Sequence, residues 1–186
     1  MSRAYQIRIK ESVREHIRVQ DGVCSSLELL DILPRETMGE ILARALEEKG
    51  FERDGDVMRR LDDGIEVEVD LAKGTVTARL SAEKEVDLTV ERSRVVAEEV
   101  AGRETERLRE HVKKGLEREV EAERERLTDE VASKLEKHLV NLRRELDQVV
   151  NRVTADALKA KAASIGEIEE ITEDSETGSI TIKVKV

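Results

Sequence analysis

The sequence predicts an α+β protein: a small antiparallel sheet covered by a helix, with a long projecting helical (coiled-coil) arm and a C-terminal β-hairpin. Three observations carry this. Residues 5–19 and 65–90 alternate apolar and polar side chains at the period of half-buried strands. Residues 93–163 contain no Pro and keep a single apolar stripe at helical spacing. Residues 164–186 return to strand alternation. The domain organisation follows as 1–92 for the sheet domain, 93–163 for the arm, and 164–186 for a hairpin that completes the first sheet.

In chain order, Tyr5, Ile7, Ile9, Glu11, Val13, Glu15, Ile17 and Val19 lie on one side of the first strand, with mostly Gln, Arg, Lys, Ser and His between them. Asp21-Gly22 reads as the turn that ends it. Pro34 suits the first turn of a helix because its missing N–H would have no helical acceptor there. Met38, Ile41, Leu42, Ala45 and Leu46 then mark one helical face, and Gly50 is the expected stop for a helix at 35–49. A meander follows. Asp54-Gly55, Asp62-Asp63-Gly64, Lys73-Gly74 and a turn near Ala82–Lys84 separate Ile65, Val67, Val69 and Leu71 from Val76, Ala78 and Leu80, and these from Val86, Leu88 and Val90. The helix at 35–49 is the cover for the apolar face of these strands. The two aromatic side chains, Tyr5 and Phe51, are assigned to the core.

The stripe of the arm runs Leu108, Val112, Leu116, Val120, Leu127, Val131, Leu135, Leu139, Leu142, Leu146, Val150, Val153 and Ala157, with a lapse near Arg124. Its mean step of roughly 3.8 residues is wider than the 3.5 of a left-handed coiled-coil seam. Glu99–Arg103, Glu110–Lys114 and Glu130–Lys134 are i, i+4 pairs in the favourable orientation. One unbroken helix of this length would span roughly 100 Å. A fold-back near Glu121–Arg126 would instead make a helical hairpin, and the residues leave both courses open. A narrow stripe calls for a partner helix, so Leu127, Val131, Leu135, Leu139, Leu142 and Leu146 form the candidate helix-pairing seam. Beyond Gly166, Ile168 and Ile171 and then Ile180, Ile182, Val184 and Val186 make the two strands of a hairpin whose turn contains Gly178.

Composition narrows the function. The 33 basic and 43 acidic side chains leave a formal net charge of -10. Residues 1–92 carry 15 basic and 21 acidic groups, residues 93–163 carry 16 of each, and residues 164–186 carry 2 and 6. A neutral but highly charged middle is the pattern of a solvated helix laced with ion pairs, while acidic flanks repel phosphate backbones and anionic membranes. Nucleic acid and membrane are therefore not expected as partners. No apolar run reaches the roughly 18 residues of a membrane helix, and the first residues lack a signal-peptide core, so a cytoplasmic location is expected. The single cysteine, Cys24, excludes an internal disulfide and a multi-thiolate zinc site.

No catalytic, cofactor-binding or metal-binding set emerges. Cys24 would need a base from His16, His111 or His138 to act as a nucleophile, and it reads as a plain buried or turn cysteine. Asp54/Asp56 and Asp62-Asp63 are turn residues that do not meet the calcium-loop pattern. Phosphate-loop, dinucleotide, nucleophile-elbow and zinc-protease motifs are missing from the sequence. The Lys113-Lys114 and Arg143-Arg144 doublets read as solvated faces of the arm rather than anion sites.

The helix ending in Leu46-Glu47-Glu48-Lys49-Gly50-Phe51-Glu52, the acidic meander, the helix ending in Ala157-Leu158-Lys159-Ala160-Lys161-Ala162-Ala163-Ser164-Ile165-Gly166 and the hairpin from Glu173-Asp174 to Gly178-Ser179-Ile180 resemble the small DUF1257 (Ycf35-like) proteins. They are also similar to the accessory domains of bacterial FtsH ternary systems, encoded beside AAA+ ATPases and proposed to act in biological conflict. The matching parts are 35–90 and 157–186, and the arm is longer than the helix such small proteins carry. The resemblance implies a non-enzymatic accessory subunit that works with an AAA+ machine, and it transfers no catalytic residue. The expected function is thus an accessory or adaptor protein that binds other proteins, an AAA+ ATPase among them, with homodimerisation through the seam as one possibility. The alternative is a stalk-like structural coiled-coil subunit of an ATPase assembly.

Overall fold

The computed structural model describes residues 4–174 and 179–185. Seven strands and two helices follow in the order β1 (Ala4–Ser26), α1 (Arg35–Glu47), β2 (Glu52–Asp54), β3 (Val57–Asp62), β4 (Ile65–Asp70), β5 (Thr75–Ala97), α2 (Ala101–Ile165), β6 (Glu167–Asp174) and β7 (Ser179–Lys185). Strands β1 to β5 form one antiparallel sheet in the order β1-β5-β4-β3-β2. By contacts the chain divides into two compact units, Met1–Asp21 with Ser81–Lys134 and Gly22–Leu80 with Leu135–Val186, so β1, β5 and α2 each contribute to both.

In the first unit, the β1 segment up to Asp21 and the β5 segment from Ser81 form a two-stranded ribbon with α2 on one face. Arg8 pairs with Glu91 at 3.3 Å, Arg14 with Asp87 at 3.2 Å and Arg18 with Glu83 at 3.3 Å. The partner number falls as the β1 number rises, as antiparallel pairing requires. The opposite face is apolar. Ile17 and Val86 pack with Val120 and Leu127 of α2, supported by Val13, Val19, Ala82 and Leu88. Further along, Val90 packs with Val112 and Leu116, supported by Ile9 and Val13. The strand period of two and the helix period near 3.6 therefore meet in one layer.

The second unit holds the meander. Asp63 and Gly64, with φ of 50° and 84°, make the two-residue connection between β3 and β4 in the left-handed conformation that suits a tight hairpin. Register places Met58 opposite Val69, Val67 opposite Ala78 and Ile65 opposite Leu80, which gathers the buried side chains on one face. Helix α1 buries Met38, Leu42, Ala43, Ala45 and Leu46. Its end is closed by Phe51 N–H donating to the Leu46 carbonyl at 3.1 Å and Gly50 N–H to the Glu47 carbonyl at 2.9 Å. Gly50 at φ 82° supplies the left-handed residue this closure needs.

Three sequence expectations are corrected. Asp21-Gly22 does not turn, because β1 runs through it to Ser26. A Cβ on Gly22 would approach the Ala78 carbonyl oxygen to 3.0 Å, so the glycine serves a close backbone approach and not a reversal. Ala82–Lys84 likewise lies within the continuous β5. Tyr5 is 55% exposed and no part of the core, whereas Phe51 is buried. Of the two courses that the residues leave open for the arm, α2 takes the continuous one, from Ala101 to Ile165 through Gly102, Gly115 and the polar run at 121–126.

The C-terminal hairpin also departs from expectation. Strands β6 and β7 pair antiparallel, Ile168 with Val184 and Ile171 with Ile182, but form a two-stranded sheet of their own. The first sheet already receives β1 at the side of β5. The hairpin instead abuts the end of α2, where a Cβ on Gly166 would collide with the Lys185 carbonyl oxygen. The expected turn at Gly178 lies outside the described residues.

Candidate interaction surface

The proposed seam residues are covered within the chain. Leu127 packs against Ile17 and Val86 of the ribbon. Val131, Leu135, Leu142 and Leu146 are buried, and Leu139 is half-buried. Strands cover the N-terminal part of the stripe, so the partner helix that a narrow stripe seemed to require is replaced there by a sheet. The C-terminal stripe also passes through Val149 rather than Val150, as 2% exposure at Val149 shows.

The stripe is interrupted at two phases, and both interruptions carry polar contacts. Glu123 occupies the lapse seen near Arg124. Its Oε2 accepts from Lys84 Nζ at 2.8 Å, and its other oxygen accepts from Arg126. Lys84 in turn holds the carboxyl of Glu123 below the usual carboxylate range. Lys84 sits on the apolar row of β5 between Ala82 and Val86, so two opposite charges break two facing apolar rows at the same level. The second interruption is His138, whose Nε2 is buried without a hydrogen-bond partner and lies 3.7 Å from Asp62 Oδ2.

Next to His138 is the most buried ionic group among those described. Arg60 of β3 donates from Nη2 and Nη1 to the two Glu145 oxygens at 2.7 and 2.9 Å, and from Nη1 to the Lys49 carbonyl at 2.7 Å. Its Nε donates to Asp62 Oδ2 at 2.8 Å, and the guanidinium carbon lies 4.4 Å from the Phe51 ring centre. One planar cation thereby ties β3, the exit of α1 and α2 together, using the fork geometry that distinguishes Arg from Lys. The hydrogen bonds from Arg60 hold Glu145 below the usual carboxylate range against the opposing effect of burial. Both carboxylates are engaged by a guanidinium, which makes the cluster an anchor and a poor general base. Arg152 with Glu48 at 2.8 Å and Lys49 with Gln148 at 3.4 Å extend the attachment along α2.

The residues weighed for chemistry stay apart from this cluster. Cys24 is exposed. His16 Nε2 lies 3.3 Å from Glu83 Oε2 on the wet face of the ribbon. Among the described residues no group of three or more His, Cys, Asp or Glu is arranged to hold a metal ion, and no helix is long and apolar enough to cross a membrane.

What the fold leaves open is an edge. Strand β1 is outermost in its sheet over 23 residues, so one side of its backbone has no strand beside it. Its wet face presents Arg8, Lys10, Arg14, His16 and Arg18, all exposed. Glu91, Asp87 and Glu83 of β5 already face Arg8, Arg14, His16 and Arg18, so what the edge offers an added strand is its backbone. The sequence pattern alone did not reveal this, because alternation reports which face is wet and not which strand is outermost.

The chain belongs to the family described as FtsH ternary system domain X5, whose model matches residues 1–186. No curated protein and no solved structure matches it.

Proposed function

We propose that this protein is a non-enzymatic accessory subunit of an FtsH ternary system that acts by binding other proteins in the cytoplasm, with the AAA+ ATPase of the system as its partner in bacterial conflict or stress. Family membership supplies the setting. The observation that carries the binding role is the open edge of β1, held straight by α2 packed on the ribbon. The strand is pre-ordered before a partner arrives, so strand addition there would not have to offset the entropy of ordering it.

A proline scan over Gln6–Gln20 tests this. Proline is tolerated where the N–H points away from the ladder and breaks pairing where it points inward. Variants that keep their helicity and melting temperature should lose capture of the proposed AAA+ ATPase partner. Undiminished capture by every folded variant would overturn the edge as the contact.

A stalk-like structural subunit of an ATPase assembly is the second reading, favoured by the continuous 65-residue helix. Light scattering separates the two: an adaptor is a monomer that gains mass only with its ATPase, whereas a stalk subunit self-associates through its helix.

A further inference from the structure

We infer that the first unit carries a binding site for a compact phosphate-type oxyanion, in the pocket between the end of β5 and the flank of α2. The pocket encloses about 260 Å³ and is lined by Val90 and Arg92 of β5 and by His111, Lys114, Gly115, Arg118 and Glu119 of α2. Three permanent cations and an imidazole, all exposed, thus line it from two elements, against one carboxylate.

Four cations near the pocket or on the same helix are ion-paired, whereas those lining the pocket are not. On the same helix Arg107 bonds Glu104, Arg109 bonds Glu106 and Arg126 bonds Glu123. Arg94, two residues beyond Arg92, bonds Glu104 at 2.6 Å. Arg92, Lys114, Arg118 and His111 have no ion-pair or hydrogen-bond partner among the described residues. Lys114 forgoes the favourable i, i+4 pairing with Glu110 that the sequence offers and lies four residues from Arg118 instead. Like charges at that spacing destabilise a helix. With a net charge of -10, carboxylates to neutralise them were not in short supply.

Gly115 supports the same reading. A glycine inside a helix costs stability relative to alanine. A Cβ there would meet Val90 Cγ1 at 3.7 Å, ordinary contact distance, so packing does not demand glycine. Gly115 lines the pocket without a side chain, which leaves room there for a bound group. Two guanidinium forks and an ammonium carried by two elements suit a tetrahedral, doubly charged group better than a planar carboxylate, which one fork already satisfies. The overall negative charge repels long polyanions, which favours a single group. That group is either free phosphate or the phosphoryl of a phosphorylated side chain.

The test is titration of the full chain at 150 mM salt with inorganic phosphate, and with a phosphoserine peptide and its unphosphorylated twin, followed by calorimetry and amide chemical shifts. Phosphate should bind saturably and shift the amides around Gly115. Arg92→Gln and Arg118→Gln should each weaken binding roughly tenfold. Gly115→Ala should weaken it while raising the melting temperature, which separates loss of the site from loss of the fold. Tighter binding of the phosphopeptide than of phosphate assigns the group to a modified protein, and the reverse order assigns it to the free ion. Absence of saturable binding by either phosphate form, or undiminished binding by folded Gly115→Ala and by the Arg92→Gln, Arg118→Gln double variant, would overturn the site.

Discussion

Lys84 of β5 and Glu123 of α2 meet at 2.8 Å at the one level where the apolar rows of both elements lapse. The Lys84 side chain is half-exposed while Glu123 is mostly covered, so the pair sits at the margin of the apolar layer and favours this register by giving Glu123 its cation. Lys84→Glu should lower the melting temperature by placing two carboxylates together, and Lys84→Glu with Glu123→Lys should recover most of the loss. Non-recovery in thermal melts of the four proteins would show that the pair sets no register.

The Arg60 cluster predicts a larger effect. Glu145→Ala leaves a mostly covered guanidinium with only Asp62, the Lys49 carbonyl and the Phe51 ring, and should cost roughly 1–3 kcal/mol in urea unfolding. Arg60→Lys should cost nearly as much, because an ammonium cannot make the bidentate contact.

Acid should unfold the protein in a defined direction. The carboxyls of Glu145, held by Arg60, Glu40, held by Arg53, and Asp70, held by Lys73, all lie below their usual range in the fold. Such groups contribute stability above the ordinary carboxylate pKa of about 4, and lose it as pH falls through the lowered native value. Melting temperature should therefore be flat from pH 7 to 5 and fall below about pH 4.5. Glu145→Gln should start lower and fall less steeply over that interval.

Leu135→Ala and Leu142→Ala remove side chains that are 2% and 3% exposed within the single chain. Each should cost about 2–5 kcal/mol of unfolding free energy without changing the mass in solution. A change of mass at unchanged stability would return these residues to an intermolecular seam.

Gly166→Ala should act locally. Its collision with the Lys185 carbonyl oxygen displaces the end of β7 from the helix terminus. Amide exchange of Ser179–Lys185 should accelerate while exchange within α2 stays as in the parent protein.

Much of this architecture was legible in the residues. The alternation of Ile7, Ile9, Val13, Ile17 and Val19 identified β1 and its buried face, and the 3, 4 spacing of Met38, Leu42, Ala45 and Leu46 identified α1. The lapse near Arg124 was visible too, but it suggested a bend. Read together with Lys84, another charge on an apolar row, it would have pointed to a contact between β5 and α2. Arg60 and His138 were hidden for a different reason, since a single polar residue in an apolar phase is indistinguishable from an exposed one until its surroundings are known.

Periodicity reports the environment of each face, and local turn chemistry reports where a chain can reverse. Both are properties of short segments, which is why element type, the apolar stripe and the balanced charge of the helix followed from sequence alone. Which element covers which face depends on pairings between residues far apart in the chain. Those pairings placed β1 beside β5, carried both strands through their apparent turn signals and laid α2 on the ribbon. They also left the hairpin as a separate sheet and gathered Arg92, Lys114 and Arg118 around one pocket.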